Sequence, residues 1–319
     1  MEKNIFKVIN GTLKTGFSYI YWLFAQAVKC FFAFFSCSFF VKRGFHKYFG
    51  NFFIKSAVES EFINGSYGSW YGIRKRDRKK LVKMIHKQSK HVTNATNILY
   101  HTVLAKEILS IPKEIEGVVV ECGAFKGSTS VTLSLACKLA GRKLIVCDSF
   151  EGLPDEETDL VRDYTHLQIY GYYEKGMYEG TLDEVKSNIS NYGAIEVCEF
   201  NKGFFSDSLK NLKEPVAFAF FDVDLTSSIK DCIKYIWPLM AEGAKVYTDD
   251  SCDMEVVKVW FDDTWWKENL GRPAPGYVGS GCGLPLDYDF SSLGYTSRIS
   301  DITSAYGKTS WLRYKGEGE

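Results

Sequence analysis

No C-x-x-C pair occurs in this chain, and its cysteines lack the close spacings of a thiolate zinc site. The nine present, Cys30, Cys37, Cys122, Cys137, Cys147, Cys198, Cys232, Cys252 and Cys282, are odd in number, and several sit inside apolar runs such as KLIVCDSF. Reduced, buried thiols in a reducing compartment behave this way. An excess of one charge sign is also missing: 39 basic residues balance 39 acidic ones. Without a global field to attract it, nucleic acid is set aside as a partner. There is no internal repeat and no low-complexity tract. At 319 residues and 45% hydrophobic, the chain can build one large α/β domain plus an extension, or at most two domains, and general disorder is excluded.

Long apolar runs are scarce, and the one exception is Phe17 to Val41, FSYIYWLFAQAVKCFFAFFSCSFFV. Its length suits a bilayer span. Lys29 near its middle costs on the order of 2.5–3.5 kcal/mol on insertion scales. A helix lying in the interface with Lys29 snorkelling is the alternative, and an aromatic-rich helix packed on the protein is the plainer one. A cleaved signal peptide fits less well, because the run is too long and shows no small-residue cleavage site. Lys42 and Arg43 follow directly, which fits positive-inside placement, and the rest of the chain is expected in the cytoplasm, on the cytoplasmic face of any membrane it meets. Residues 42–90 end in the basic run IRKRDRKKLVKMIHKQSK, read as a solvated helix face that could also meet anionic lipid.

From Asn94 to Ile111 apolar residues recur at helical spacing, and Pro112 stops that helix. Short apolar runs then alternate with amphipathic stretches. The runs are GVVVECG (117–123), KLIVCDSF (143–150), AIEVCEF (194–200), VAFAFFDVD (216–224) and AKVYTDD (244–250). Between them the pattern predicts helices over Ser128–Leu139, Leu182–Ile189, Ser206–Leu212, Leu225–Met240 and Met254–Leu270, with Thr226 or Ser227 capping the fourth. This alternation means a mostly parallel, doubly wound sheet covered on both faces. A Gly- and Pro-rich loop, GRPAPGYVGSGCGLPL, follows, and two strand-like runs near Tyr295–Ile299 and Thr309–Tyr314 close the chain.

In such sheets ligands bind beyond the carboxyl ends of the strands. The first end reads Glu121-Cys122-Gly123-Ala124-Phe125-Lys126-Gly127-Ser128-Thr129, an E-x-G-x-x-x-G pattern. It is not the G-x-G-x-x-G of dinucleotide folds, and a structural turn is the plainer alternative. The second ends in Asp148-Ser149, where an acid is placed to accept hydrogen bonds from ribose, or merely to close a turn before Gly152-Leu153-Pro154. The third and fourth ends carry Asp222 and Asp224, then Asp249 and Asp250. If those strands are neighbours, Asp222 meets the Asp249/Asp250 pair, and the carboxylates repel unless a cation binds or protons are taken up. Oxygen-only ligands favour Mg²⁺. The alternative is that Asp224 and Asp250 cap the helices after them.

With VVECGAFKGSTS, VCDSFEGLP, FFDVD and VYTDD in hand, the chain from about residue 92 to 315 resembles the macrocin O-methyltransferase family of sugar methyltransferases. The resemblance implies a Rossmann-like class I methyltransferase domain over 92–319, closed by a reversed β-hairpin. Residues 1–45 would then be a hydrophobic membrane-associating segment and 46–91 a linker or helical extension. It implies S-adenosylmethionine as cofactor and Mg²⁺ held by Asp222, Asp249 and Asp250, with Asp222 also the general base. Gly123, Phe125 and Thr129 would line the methionine end of the cofactor, Asp148 the ribose, and Lys202 and Gly203 the adenine side. Glu121 and Ser149, in the same motifs, are counted with the cofactor set. Where the family often reads LDGDLYEST this chain has FDVDLTSS, and the Gly-rich loop has no clear counterpart, so the acceptor, expected to be a sugar hydroxyl, is left open. A homo-oligomer is left open too.

Methyl transfer to oxygen needs an alkoxide-like acceptor in line with the sulfonium, and a divalent ion supplies the acidity. The segment Gly152–Gly180, with Tyr164, Tyr170, Tyr172, Tyr173 and Tyr178, reads as a lid or acceptor wall, or as a plain surface insertion. His166 there is a possible second base. Two other classes compete. A NAD-type oxidoreductase is disfavoured by the glycine spacing. A catalytically silent glycan- or membrane-binding scaffold is disfavoured by carboxylates at all three family positions.

Overall fold

The protein's structure, a computed structural model, describes residues 55–96, 98–155, 160–162, 168–170, 172–250, 253–275 and 303–306. Residues 17–41, the runs near Tyr295–Ile299 and Thr309–Tyr314, the loop from 276 onward, Tyr164 and His166 lie outside these. Among the described residues no helix is long and apolar enough to cross a membrane. The chain divides into two units, Met1–Ser56 and Ala57–Glu319, and the sheet and its helices belong to the second.

Five strands, β1 (Val118–Cys122), β2 (Leu144–Asp148), β5 (Cys198–Lys202), β6 (Val216–Phe221) and β7 (Met240–Thr248), form a parallel sheet in the order β5-β2-β1-β6-β7. Strand β8 (Thr303–Tyr306) adds antiparallel to β7. The central strands β1 and β6, VVVEC and VAFAFF, are buried at every position, as unbroken apolar runs covered on both faces must be. Edge strand β5 is only partly buried or exposed at each position. Its run starts later than the sequence pattern suggests, because Ile195–Val197 turn as a 3-10 helix first. A short hairpin, β3 (Leu160–Arg162) with β4 (Gln168–Tyr170), sits in the segment between β2 and β5.

The helices cover the sheet. Residues 57–64 are helical (α1), followed by α2 (Lys75–Gln88), α3 (Ile98–Leu109), α4 (Ser128–Ala140), α5 (Leu182–Tyr192), the short α6 (Phe205–Ser208) and α7 (Thr226–Ile236). Helix α4 is bounded at both ends by left-handed glycines, Gly127 and Gly141, and its small residues let it lie buried between the sheet and α3. Helix α7 buries the expected stripe Ile229, Cys232, Ile233 and Ile236. Its N-cap is Leu225, with no side-chain cap from Thr226 or Ser227. The stretch expected as one helix to Leu270 is two, α8 (Met254–Val259) and α9 (Asp263–Leu270). Asp262 starts the second by accepting the Trp265 N–H at 3.0 Å, while the Trp266 indole donates to the Val259 carbonyl at 2.7 Å. Trp237 and Trp260 pack edge-on and tilted against Trp266, at 4.9 and 5.9 Å between ring centroids. Three buried indoles thus fill the space under β6 and β7.

The basic run is the amphipathic helix α2. Leu81, Val82 and Ile85 face inward, with α2 packing on α3 and α4. Arg78 is buried with them. Its guanidinium donates to the carbonyls of Ile63 (3.2 Å), Gly65, Tyr67 (2.9 Å) and Ile73 (3.4 Å), tying the 63–73 connection to the helix. Buried carbonyls left without a donor cost about 1–3 kcal/mol each. Arg78→Met, which keeps the apolar stem, should therefore lower stability by about 2–4 kcal/mol in urea denaturation. An unchanged midpoint would show that this tie carries no weight.

Candidate functional site

One rung of backbone hydrogen bonds aligns the strand ends. The residue just past each strand donates its N–H to the neighbour: Gly203 to Asp148 (2.9 Å), Gly123 to Cys147 (3.0 Å), Asp222 to Cys122 (2.9 Å) and Asp249 to Phe221 (2.7 Å). Register pairs Phe221 with Thr248, so Asp222 and Asp249 leave adjacent strands side by side. Beyond this rung, where the strand order reverses between β1 and β6, lies a cavity of about 580 Å³. Gly123, Phe125, Thr129, Asp148, Ser149, Asp222, Asp224, Asp249 and Asp250 all border it.

The glycine turn is needed for packing. Gly123 has φ +92°, and a Cβ there would collide with the Asp222 carbonyl rather than enter the cavity. Gly180 likewise lies against the Phe125 carbonyl, so the segment after β4 seats directly on the β1 turn. Asp148 holds the turns of β1 and β2 together, accepting the N–H groups of Ala124 and Phe150, each at 2.6 Å. Burial pushes its carboxyl upward, and those N–H groups pull it back. Asp148 thus closes the turn and also borders the cavity.

The carboxylates are crowded and the backbone around them is strained. Among the described residues five non-glycines have positive φ: Phe125, Phe150, Tyr178, Asp224 and Asp250. All but Phe150 line the cavity, as expected where strain serves a site. Neither Asp224 nor Asp250 takes the N-cap position of the helix after it; those positions belong to Leu225 and Asp253. Asp250 Oδ2 instead accepts the Asp224 N–H at 3.0 Å. Burial raises the Asp250 carboxyl well above its usual range, and the charges of Asp224 and Asp222 raise it further. Among the described residues no lysine or arginine borders the cavity. Among the described residues, however, no three His, Cys, Asp or Glu side chains are drawn together closely enough to hold a metal ion.

An aromatic wall faces these acids. Tyr178 meets Phe125 edge-on at 5.8 Å, and Tyr173 lies 6.5 Å from Tyr178 and 5.0 Å from Tyr172. The Tyr178 hydroxyl is pushed up to about 12 by burial, then by Asp224. That of Tyr173 is raised further, by burial and then by Asp250 and Asp224.

A second wall comes from Thr93, Asn94, Ala95 and Thr96, a stretch whose latter part falls in the expected helix but which precedes it here. Thr96 Oγ1 donates to Asp222 Oδ2 at 3.2 Å. Asn94 Oδ1 accepts the Thr96 N–H at 3.1 Å and lies 3.3 Å from His101 Nε2. His101 Nδ1 lies 2.7 Å from the Thr132 hydroxyl. Because Asn94 Oδ1 can only accept, His101 carries its proton on Nε2. A buried relay thus runs from α4 through α3 to the loop that touches Asp222. The clue in the sequence was the polar run Thr93-Asn94-Ala95-Thr96-Asn97, too polar to open a buried helix.

The remaining expected residues stand apart. Glu121 is buried on β1 and does not border the cavity; burial raises its carboxyl well above the usual range. Lys202 reaches Glu151 at 3.0 Å, and neither Lys202 nor Gly203 borders the cavity. The next four residues, Phe204 to Asp207, do, together with Ser227, Ser228 and Asp231.

Residues 101–274 match the family model of macrocin O-methyltransferase. The chain belongs to that family. The matched span contains β1 to β7 and every carboxylate of the rim. Among solved structures, the O-methyltransferase NovP is 18% identical over 72% of this chain and 98% of its own, with a TM-score of 0.54. The calicheamicin methyltransferase CalS11 is 15% identical over 79% of this chain and 91% of its own, with a TM-score of 0.40. No curated protein matches. The likeness to NovP is one of fold, and it makes this macrocin O-methyltransferase family member a Rossmann-like methyltransferase in architecture.

The relay has a pH signature. Burial lowers the His101 pKa from 6.5 to about 4. The unfolded chain therefore binds the extra proton first as pH falls. Stability from neutral His101 is full above the unfolded pKa and is lost as pH drops from about 6.5 toward 4, by about 3 kcal/mol in all. Measured against His101→Gln, the wild type should lose that much more stability between pH 7 and pH 4. Parallel pH profiles for the two proteins would contradict a neutral, buried His101.

Proposed function

We propose that this protein transfers a methyl group from S-adenosylmethionine to a sugar hydroxyl, with Mg²⁺ held at the carboxylate rim. The observation that carries the reading is one cavity, at the sheet's switch point, bordered by carboxylates on one side and by Phe125 and Tyr178 on another. A sugar offers an apolar ring face to aromatic side chains and hydroxyls to acids, and this cavity has both. The donor set suits a hard dication in kind: Asp222, Asp249 and Asp250 offer oxygen donors, and among the described residues the wall has no basic side chain to neutralise them. They are not gathered into a cage, so binding would have to draw them together. The ion would supply acidity to the acceptor hydroxyl when bound.

The chain's own residues do the rest. Gly123, Phe125, Thr129, Asp148 and Ser149 shape the cofactor's side of the cavity, with the residues after Lys202 and Gly203 on the adenine side. Asp148, at the end of β2 on the cavity wall, would take the ribose hydroxyls. Asp222 takes the acceptor proton as the C–O bond forms and the methyl–sulfur bond breaks, and Thr96 fixes one of its oxygens. The aromatic wall keeps water from the methyl group.

The same reading divides the chain into a membrane tether over residues 1–45, an extension over 46–91 and the methyltransferase domain over 92–319, on the cytoplasmic side where the cofactor is made. A chain lacking residues 1–45 should move from the membrane pellet to the soluble fraction and keep its affinity for S-adenosylhomocysteine. Full-length protein found wholly soluble without detergent would remove the tether.

For the chemistry, glycans and lipids from cells with and without the gene should differ by a methyl group in mass spectrometry. Extract from the cells lacking it should then accept labelled methyl in vitro. EDTA should abolish that transfer and Mg²⁺ restore it, whereas Asp222→Asn should stay inactive at saturating Mg²⁺ yet bind S-adenosylhomocysteine as tightly as wild type. Undiminished transfer in excess EDTA would refute the metal.

A further inference from the structure

Helix α2 carries a second feature that methyl transfer does not use. Residues three or four apart share a helix face. Arg78, Leu81, Val82, Ile85 and Gln88 are buried on one side, and Lys75, Arg76, Lys79, Lys80, Lys83 and Lys87 occupy the opposite arc, all exposed. Arg74 before the helix and Lys90 after it are exposed as well. Asp77 is the sole acid from Arg74 to Lys90, and it pairs only with Arg74 (3.9 Å) and Arg76 (3.6 Å). Among the described residues the six lysines make no ion pair. Like charges four residues apart weaken a helix, so this face works against the stability of the element that bears it. Trp70, 47% exposed, stands just before the helix.

We propose that this face docks on an anionic lipid surface. The apolar side of α2 is already packed inside the protein, so the contact is electrostatic and does not insert. Lysines outnumber arginines on the face, six to two counting Arg74 and Lys90. Compact ammonium charges suit a diffuse field of headgroups, whereas nucleic-acid recognition draws on the bidentate fork of arginine. An exposed tryptophan suits the headgroup layer. The apolar run of residues 17–41 lies upstream in the same chain. This inference is independent of the catalytic reading and separable from the tether.

The test is co-sedimentation of the full-length protein with phosphatidylcholine vesicles, with and without phosphatidylserine. Binding to neutral vesicles reports residues 17–41; the increment from phosphatidylserine reports α2. That increment should be about tenfold or more at low salt and vanish at high salt. K79Q/K80Q/K83Q/K87Q should lose most of it, and K79R/K80R/K83R/K87R, which keeps the charge, should retain it. Equal binding to both vesicle types, or an unchanged increment in the glutamine variant, would overturn the proposal. So would tighter binding to duplex DNA or RNA than to anionic vesicles at the same salt, lost in the glutamine variant.

Discussion

The alignment of the strand ends is the constraint on which the site depends. Each N–H just past a strand reaches the adjacent strand, so the turns of β1, β2, β6 and β7 leave the sheet at one level. Gly123 makes this possible at the centre, because only a residue without a side chain lets the β1 turn lie against the Asp222 carbonyl. Asp148 then binds that turn from the other side. A shift of one residue in any of these strands would turn its acid away from the rim.

The rim is an unfavourable arrangement held in place by the fold beneath it. Among the described residues four non-glycines lining the cavity sit at positive φ, and Asp250 is crowded by Asp224 and Asp222 in a buried setting. The compensation comes from below: β1 and β6 buried throughout, three packed indoles, and α4 seated between sheet and α3. Glu121 is the acid held apart from the rim, buried on β1 away from the cavity with its carboxyl raised by burial. The crowding of Asp250 by Asp224 and Asp222 is what a proton or a cation would relieve.

Much of this was legible in the residues. The sheet followed from unbroken apolar runs, and α7 from a stripe at 3.6-residue spacing, because both patterns are set locally. The adjacency of Asp222 and Asp249 needed only the assumption that their strands are neighbours. What stayed hidden was non-local. The break between α8 and α9 depends on the Trp266 indole reaching the Val259 carbonyl. The Thr93–Thr96 wall depends on Asp222, far along the chain. Asp224 and Asp250 could equally have been helix caps, since aspartate commonly is, and only the positions of Leu225 and Asp253 decide against it.

The central claim is that the cavity above the strand ends is an S-adenosyl pocket. Thermal unfolding with S-adenosylhomocysteine, or with NAD, tests it without knowledge of the acceptor. A ligand at a hundred times its Kd stabilises the folded state by about 2.7 kcal/mol. The account predicts a rise in Tm of several degrees with S-adenosylhomocysteine, absent with NAD and reduced in Asp148→Ala. A rise with NAD alone, or no response to S-adenosylhomocysteine at any concentration, would contradict it.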